Sequence, residues 1–283
     1  MYTYFAQIYD KLMQDVPREK WSLRISEWIE AYGISKPFLS ESSIDNISSE
    51  KNLVVDLGCG TGTLTEKLAQ LGYDMIGIDN SPEMLSIAMD KKAEAGSGTL
   101  YLNQNMQEMD LYSTVGTIIC ICDSLNYLLS EEDVLKTFKL VKNYLYPGGI
   151  FIFDFNTVYK YEKVIGDSTI AENYEDCAFI WENNYDSESR INEYDLTLFI
   201  KDEDFIEAED VIVNKEFNAD KDGHFVRYHE THFQKGYELR QIQDLLEAAG
   251  LEFVIAIDDE SEGYPGEESE RIFVVARKGE KHA

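Results

Sequence analysis

The segment from Val54 to Gly62 carries the clearest chemical pattern in the sequence. It reads VVDLGCGTG, an apolar run followed by Asp56 and then by glycines at positions 58, 60 and 62. Glycine lets a backbone turn tightly and approach a ligand closely, and a helix that starts after such a turn offers unpaired N–H groups. Leucines at helical spacing follow as far as Gly72. The segment therefore predicts a strand, a ligand-binding loop and a helix in succession.

The acid before the loop narrows the kind of ligand. The glycines follow the spacing GxGxG, and Thr63 stands where a dinucleotide-binding fingerprint has its third glycine. A carboxylate at Asp56 is poorly placed beside a pyrophosphate, whereas it suits an ammonium or a network that orients one. S-adenosylmethionine (SAM) carries an ammonium on its methionine tail, so Asp56 favours SAM as the ligand. A glycine-rich turn without any ligand remains the alternative.

A second acid, Asp79, ends the next predicted strand. It lies about 20 residues after the first glycine of the loop, the separation at which an acid can accept hydrogen bonds from both hydroxyls of an adenosine ribose. Asp79 could instead cap the following helix. Ser81 already supplies a cap, however, and Pro82 suits the first helical position. The ribose role is therefore favoured.

The elements that must position these residues alternate between strands and helices. Apolar or β-branched runs occur at 53–56, 75–79, 100–102, 117–122 and 150–154, with helical spacing between them. Continuous apolar strands that alternate with amphipathic helices indicate a parallel sheet covered on both faces. A helix at 238–249 and two strands at 251–257 and 272–276 would complete this sheet.

Two regions depart from this alternation. Residues 1–33 show helical spacing that Pro17 interrupts, which predicts two short helices. Residues 157–234 alternate between apolar and polar side chains, which predicts half-exposed antiparallel strands. The predicted strands of this second region include 179–183, 196–200 and 211–213.

Two motifs, DLGCGTG at 56–62 and GIDNSPEML at 77–85, together resemble the class I SAM-dependent methyltransferases. The resemblance implies an α/β fold, with a Rossmann-like sheet of seven mostly parallel strands, an antiparallel last strand and a β-rich lid insertion. It divides the chain into an N-terminal helical lid at 1–50, a SAM-binding core at 51–156 and 235–283, and an acceptor-side insertion at 157–234. Within this family, the chain most resembles the methyltransferases that act on small molecules.

The resemblance also implies which residues hold SAM. Gly58, Cys59, Gly60 and Gly62 would wrap the methionine tail, with Asp56 beside it, and Asp79 would hold the ribose. The remaining positions that match the family are Asn80 and Met84 beside the adenine, Asn105 and Met106 after the third strand, Asp123 and Asn126 after the fourth, and Tyr9 and Trp21 in the lid. Asn105 departs from the family, in which Asp is common at that position. Simple helix packing is the alternative for the two aromatic residues.

Methyl transfer asks little of protein side chains, because the cofactor supplies both the electrophile and the leaving group. A general base is needed only when the acceptor arrives protonated. Candidates are His229 and His232 in the insertion and Tyr127 after the fourth strand. On one strand these two histidines would point to opposite faces. No spacing matches a zinc signature, so we expect no metal site.

Charge limits the partners. The chain has 54 acidic and 25 basic side chains, a formal net charge of −29. Such a surface disfavours nucleic acid and anionic membranes, because binding to either rests on Lys and Arg. Charge therefore favours a neutral or cationic small molecule, in line with the small-molecule acceptor that the resemblance implies, although plain solubility is the alternative explanation of the acidic excess. With no signal peptide or membrane span in the sequence and four cysteines read as reduced thiols, we expect a cytoplasmic protein.

Two other functions remain open at this level, as does a macromolecular acceptor for the same reaction. A nicotinamide-dependent oxidoreductase would share the fold and the ribose acid, although Thr63 counts against it. A non-catalytic SAM-binding module is the other, because methyl transfer requires no obligatory side chain. The identity of the acceptor and the choice between nitrogen and oxygen cannot be derived from the residues, since fold does not determine substrate.

Overall fold

The structure, a computed structural model, describes residues 5–38, 49–202 and 224–279. Its α-helices are α1 (Phe5–Leu12), α2 (Arg18–Tyr32), α3 (Thr63–Gln70), α4 (Pro82–Ala95), α5 (Glu131–Tyr144) and α6 (Leu239–Ala249). Its strands are β1 (Leu53–Leu57), β2 (Asp74–Asp79), β3 (Leu100–Asn103), β4 (Val115–Cys120), β5 (Leu145–Asn156), β6 (Thr169–Asn173), β7 (Cys177–Asp186), β8 (Ile191–Lys201), β9 (Phe225–Lys235), β10 (Glu252–Asp258) and β11 (Arg271–Arg277).

Seven strands form the main sheet in the order β10-β11-β5-β4-β1-β2-β3. Strands β1 to β5 run parallel, and β11 is antiparallel to both of its neighbours, β5 and β10. This is the Rossmann-like sheet that the sequence predicts, including the antiparallel last strand. Every residue of β4 is buried, as its unbroken apolar sequence requires. The carboxyl ends of β1, β2, β4 and β5 therefore meet at one edge, where ligands of such sheets bind.

Helices cover both faces of the sheet. Side chains of α5 and α6 pack on one face around Phe138 and Leu246, and side chains of α2 and α3 pack on the other around Ile25 and Leu68. The sequence predicted an apolar strand over 117–122. The structure ends it earlier: β4 stops at Cys120, and Cys122 has a φ of 67° in the turn that follows. Cys120 packs in the first cluster, whereas Cys122 packs against the second.

A separate antiparallel sheet has the order β6-β7-β8-β9. Its side chains alternate between a buried inner face and a more exposed outer face, as half-exposed strands should. Phe179, Leu196 and Leu198 lie on the inner face. Strands β7 and β8 confirm two of the predicted strands, and the prediction at 211–213 lies outside the described residues.

The two predicted N-terminal helices are α1 and α2, and Pro17 directly precedes α2. Helix α1 lies between the two sheets. Its Phe5 and Ile8 side chains share one apolar cluster with Met84 of α4 and with the inner face of the second sheet. Within the described residues, no helix combines the length and apolar character that crossing a membrane would require.

Candidate functional site

The glycine loop connects β1 to α3 and adopts a conformation that ordinary residues avoid. Gly58, Gly60 and Gly62 have φ values of 80°, 54° and 72°. A Cβ at Gly62 would clash with the Tyr101 hydroxyl, whereas a Cβ at Gly60 would meet no atom of the described residues within 4 Å. Gly62 is therefore required by packing inside the protein, and Gly60 borders open space.

Asp79 fastens this loop to the end of β2. Its Oδ2 accepts the N–H of Gly60 and its Oδ1 accepts the N–H of Ser81, both at 2.8 Å. Ser81 caps α4, as the sequence predicts, by accepting the N–H of Met84 through its hydroxyl. Burial raises the pKa of Asp79, and the backbone hydrogen bonds to its carboxylate oppose that shift. Asp79 therefore presents a fixed carboxylate at the edge of the loop.

Asp56 lies near the carboxyl end of β1, two residues before the first glycine of the loop, and its side chain is 2% exposed. The Thr65 hydroxyl donates to its Oδ2 at 2.6 Å. Burial and, to a smaller degree, the nearby Asp79 raise the pKa of Asp56 to about 7, against the lowering effect of that hydrogen bond. A positive ligand beside Asp56 would stabilise its ionised form.

A cleft of about 430 Å³, counting the space that opens to solvent, lies over the loop. The predicted residues that line it are Tyr9, Trp21, Asp56, Gly58, Cys59 and Gly60. The lining residues that were not predicted as part of the site are Arg18, Thr61, Thr63, Leu64, Ile121, Cys122 and Ser124. The cleft therefore combines the β1 loop, the turn after β4 and the N-terminal helices.

Arg18 is the functional candidate that sequence reasoning missed. Its Nη1 donates to the Met13 carbonyl at 2.8 Å, and its buried Nη2 has no hydrogen-bond partner among the described residues. A guanidinium at the first position of α2 also faces the unfavourable positive end of the helix dipole. An arginine at this unfavourable position of a helix was the feature of the sequence that could have identified Arg18 as functional. A guanidinium with a spare donor at the cleft can bind a carboxylate.

Helix α1 is attached to the glycine loop through Asp10. The carboxylate accepts from the Thr61 and Thr63 hydroxyls at 2.8 and 3.0 Å, and it forms an ion pair with Lys91 of α4. Burial opposes ionisation of Asp10, but the Lys91 and threonine contacts outweigh burial and lower its pKa. The adjacent Tyr9 approaches Cys122, with 3.9 Å between oxygen and sulfur. The predicted aromatic lid therefore reaches the cleft through Tyr9.

Trp21 has a second set of contacts outside the cleft. Its indole N–H donates to Asp259 at 3.2 Å, and its ring packs edge-on against Phe273. The Arg271 guanidinium lies 5.2 Å from the ring centroid. Trp21 therefore lines the cleft and also packs α2 against β11, so the structure gives it both the lid position and the helix-packing role that the sequence left open.

The turn after β4 is held by a buried ion-pair network. Cys122 and Asp123 both have positive φ, at 67° and 52°. Arg271 pairs with Asp123 at 2.6 Å and also with Asp154, whose oxygens accept the Asp123 N–H. Burial raises the pKa of Asp154 to about 6, and Arg271 limits that rise. Asp123 is thus committed to internal contacts, whereas the sequence placed it beside the cofactor.

The other predicted residues have mixed positions. Asn126 is fully buried, and its amide bonds to backbone groups of Asn156 and Lys235. Asn126 therefore joins the ends of β5 and β9 beside the turn after β4. Of the residues predicted beside the adenine, Asn80 is exposed next to Asp79, and Met84 is buried against α1. After β3, Asn105 accepts the Gln107 N–H at 2.9 Å, and Met106 packs near Gly58.

The structure separates the three candidates for a base. His229 lies on the outer face of β9, where it pairs with Asp195 at 3.2 Å, so it does not face the site. His232 is buried on the inner face, and its ring centroid is 6.4 Å from that of Tyr127. Among the residues that the structure describes, no three or more His, Cys, Asp or Glu side chains are grouped to hold a metal ion.

Comparison with known sequences gives matches along the whole chain. Residues 54–149 match the family described as a methyltransferase domain. The chain is 32% identical over 279 residues to YqeM of Bacillus subtilis (strain 168), which is named as a methyltransferase, and the match covers 98% of this chain and 97% of YqeM. A protein from Geobacillus sp. (strain WCH70), also named as a methyltransferase, is 32% identical over 278 residues, with coverage of 98% and 99%.

Comparison with solved structures gives the same fold. A SAM-dependent methyltransferase from Clostridium acetobutylicum ATCC 824 is 28% identical and superposes with a TM-score of 0.77, covering 98% of this chain and 99% of the other. The methyltransferase CcbJ from Streptomyces caelestis, at 17% identity and a TM-score of 0.72, covers 98% and 97%. At that identity, the CcbJ match is evidence for the fold alone.

Proposed function

The chain belongs to the class I SAM-dependent methyltransferases, and on this premise we propose that it transfers a methyl group from SAM to nitrogen or oxygen of a small molecule. The observation that carries the proposal is the cleft over the glycine loop, which Asp56, Arg18 and the open side of Gly60 line together. Asp79 stands at its edge, bound to Gly60.

The residues of this cleft fit SAM. The unpartnered Nη2 of Arg18 suits the carboxylate of the methionine tail, and Asp56 suits its ammonium. The absence of any described atom near a Cβ at Gly60 leaves room for the tail against the backbone. The fixed carboxylate of Asp79 suits the ribose hydroxyls.

The cofactor, when bound, supplies an activated methyl group and a neutral thioether as leaving group. The contribution of the protein is therefore mainly to orient the reactants and to exclude water. Tyr9 and Trp21 close one side of the cleft, and Ser124 fixes another by donating to the Gly58 carbonyl at 3.1 Å. The Arg271 network holds the turn that carries Ser124.

The second sheet supplies the acceptor side in this proposal. Its inner face lies against α1, which also contacts the glycine loop through Asp10. The excess of acidic side chains favours a small neutral or cationic acceptor over nucleic acid. The four cysteines form no disulfide, which supports a reducing compartment such as the cytoplasm.

The test is turnover with methyl-labelled SAM. The protein is incubated separately with the small-molecule, protein and nucleic-acid fractions of an extract from the organism that encodes it. We expect label in the small-molecule fraction. Label confined to protein or nucleic acid would contradict the acceptor class, and absence of transfer to every fraction would favour a non-catalytic SAM-binding module.

A further inference from the structure

Arg271 lies next to two of the elements that line the cleft. It belongs to β11, its side chain is 14% exposed, and it is not itself a lining residue. Cys122 and Ser124 line the cleft from the turn after β4, and Trp21 lines it from α2. Because Arg271 contacts both the turn and Trp21, it can influence the cleft without touching a ligand there.

The guanidinium of Arg271 binds the turn through Asp123, the residue between Cys122 and Ser124. Its Nη2 lies 2.6 Å from Asp123 Oδ1, and its Nη1 pairs with Asp154, whose side chain is fully buried. Asp154 also accepts the backbone N–H of Asp123. Arg271 therefore holds Asp123 twice, directly by its side chain and through Asp154 by its backbone.

The turn needs this support because its backbone is strained. Cys122 and Asp123 are consecutive residues with φ values of 67° and 52°, a region that residues other than glycine rarely adopt. Strain of this kind persists only where the surrounding structure over-determines the conformation. Gln234 of β9 adds a further contact by donating to Asp123 Oδ2 at 2.8 Å. Both carboxylate oxygens of Asp123 are thus occupied, so Asp123 acts on the cleft through its position.

Arg271 also takes part in orienting Trp21. The guanidinium carbon lies 5.2 Å from the centroid of the Trp21 ring, within the range of a cation–π interaction. The indole N–H donates to Asp259 at 3.2 Å, and the ring packs edge-on against Phe273. All three contacts come from β11 and the loop before it. Arg271 is the one of these three residues that also binds the turn after β4.

We propose that Arg271 is a positioning residue for SAM, which holds Trp21 and the turn after β4 in the arrangement that the cofactor requires. The inference rests on the proposed function, because that function assigns the cleft to SAM. Arginine suits this role better than lysine, since its planar fork can bind two carboxylates and stack on a ring at once. A lysine would keep the charge but could not make all three contacts together.

The first experiment is a calorimetric titration of Arg271→Lys with SAM, at a temperature where urea denaturation shows that the variant is folded. The affinity for SAM should fall about tenfold, a loss of about 1.4 kcal/mol. A merely structural role would lower the stability of the variant and leave the affinity of the folded protein within about twofold of the parent. That result would overturn the inference while leaving the proposed function intact.

Arg271→Lys retains a cation beside Asp123 and Asp154, whereas Arg271→Met alone would leave two buried carboxylates without compensation. Should Arg271→Lys fail to fold, Arg271→Met combined with Asp154→Asn replaces it in the same titration. That double variant removes one cation and one anion, so the net charge of the three side chains is unchanged. Its affinity for SAM should again fall about tenfold, and parental affinity would overturn the inference.

The second experiment tests whether Arg271 acts through Trp21. Trp21→Leu, which removes the ring from the cleft, should itself weaken SAM binding. In the Trp21→Leu background, Arg271→Lys should cost about threefold in affinity instead of about tenfold, because part of its effect has no ring to act on. Equal losses in the two backgrounds would overturn the positioning of Trp21 by Arg271.

Arg24 provides a matched control, because its surroundings resemble those of Arg271. Its side chain is 11% exposed, it pairs with Asp259 and Glu262, and its guanidinium carbon lies 5.8 Å from the centroid of the Trp28 ring. None of these residues lines the cleft. Arg24→Lys should therefore bind SAM with the affinity of the parent protein. A loss equal to that in Arg271→Lys would overturn the inference, whereas failure of the parent protein to bind SAM would refute the proposed function.

Discussion

Asp79 and Gly60 are joined by a hydrogen bond from the loop N–H to the carboxylate, 2.8 Å long. The bond links the end of β2 to the middle of the loop that follows β1. It connects the acid predicted to hold the ribose with the glycine predicted to contact the methionine tail. The two halves of the proposed SAM site are therefore positioned relative to each other by one hydrogen bond within the protein.

Replacing Asp79 should weaken SAM binding strongly. Asp79→Ala removes the acceptor for the ribose and also the anchor of the Gly60 N–H, so we expect the affinity for SAM to fall tenfold or more, about 1.4 kcal/mol or above. Isothermal titration measures this change. Asp74→Ala, at the opposite end of β2, is the matched control and should bind SAM normally. Equal affinities in the two variants would contradict the role of Asp79.

A methyl group at Gly60 should block the ligand more than it harms the fold. Gly60 has positive φ, and a Cβ added there would have no described atom within 4 Å; Gly96 shares both properties at the end of α4. Gly60→Ala and Gly96→Ala should therefore lose similar stability, roughly 1–2 kcal/mol for a left-handed alanine. Only Gly60→Ala should lose SAM affinity. Denaturant titration and SAM titration of both variants test this, and normal binding by Gly60→Ala would place the ligand elsewhere.

Arg18 should contribute to binding only through the amino-acid tail of SAM. Arg18→Gln is expected to lower the affinity for SAM and S-adenosylhomocysteine about tenfold, the smaller end for a charged hydrogen bond. Affinity for 5′-methylthioadenosine, which lacks the carboxylate, should not change. Arg24→Gln removes the same charge from the same helix, but Arg24 is paired with Asp259 and Glu262. A loss shared by both variants, or by all three ligands, would show that Arg18 does not act on the carboxylate.

Asp56 should make stability depend on pH. Burial raises its folded pKa to about 7, above the value of about 3.9 in an unfolded chain. Between these values the folded protein holds a proton that the unfolded chain has released, so the contribution of Asp56 to stability falls as pH rises towards 7. Asp56→Asn removes this titration. Its stability relative to the parent protein should rise by about 2.7 kcal/mol between pH 5 and pH 8, because about two pKa units separate pH 5 from the folded pKa and each unit is worth about 1.36 kcal/mol.

Urea denaturation at several pH values measures the difference between Asp56→Asn and the parent protein. Parallel stability curves for the two proteins would show that Asp56 does not titrate in this range. SAM offers a second measurement, since an ammonium beside Asp56 would favour its ionised form. Binding near pH 7 should then release protons in the parent protein and not in Asp56→Asn, as buffers of different ionisation enthalpy reveal.

The parts of the site that follow from local sequence were predictable. The glycine loop, Asp79 and the Ser81 cap depend on neighbours within a few positions, and each is found where the pattern places it. The parallel sheet follows from unbroken apolar runs such as β4. Strand periodicity also placed His229 and His232 on opposite faces, but it could not show which face is buried, because that depends on the position of α1.

The contacts between distant segments could not be predicted. Arg271 meets Asp154 and Asp123 across sequence separations of 117 and 148 residues, and no local pattern marks it. The same limit explains Asp123 and Asn126, which sit where the family's cofactor contacts were expected but are bound internally. Their partners became known only once β5, β9 and β11 were placed around the turn after β4.

The most direct test of the SAM site is a calorimetric titration of the unmodified protein with SAM, S-adenosylhomocysteine and NADH in parallel. The cleft over the glycine loop predicts that SAM and S-adenosylhomocysteine bind and that NADH does not. Binding of NADH in their place would contradict the assignment and favour an oxidoreductase. Absence of binding by either SAM or S-adenosylhomocysteine would remove the basis for the proposed methyl transfer.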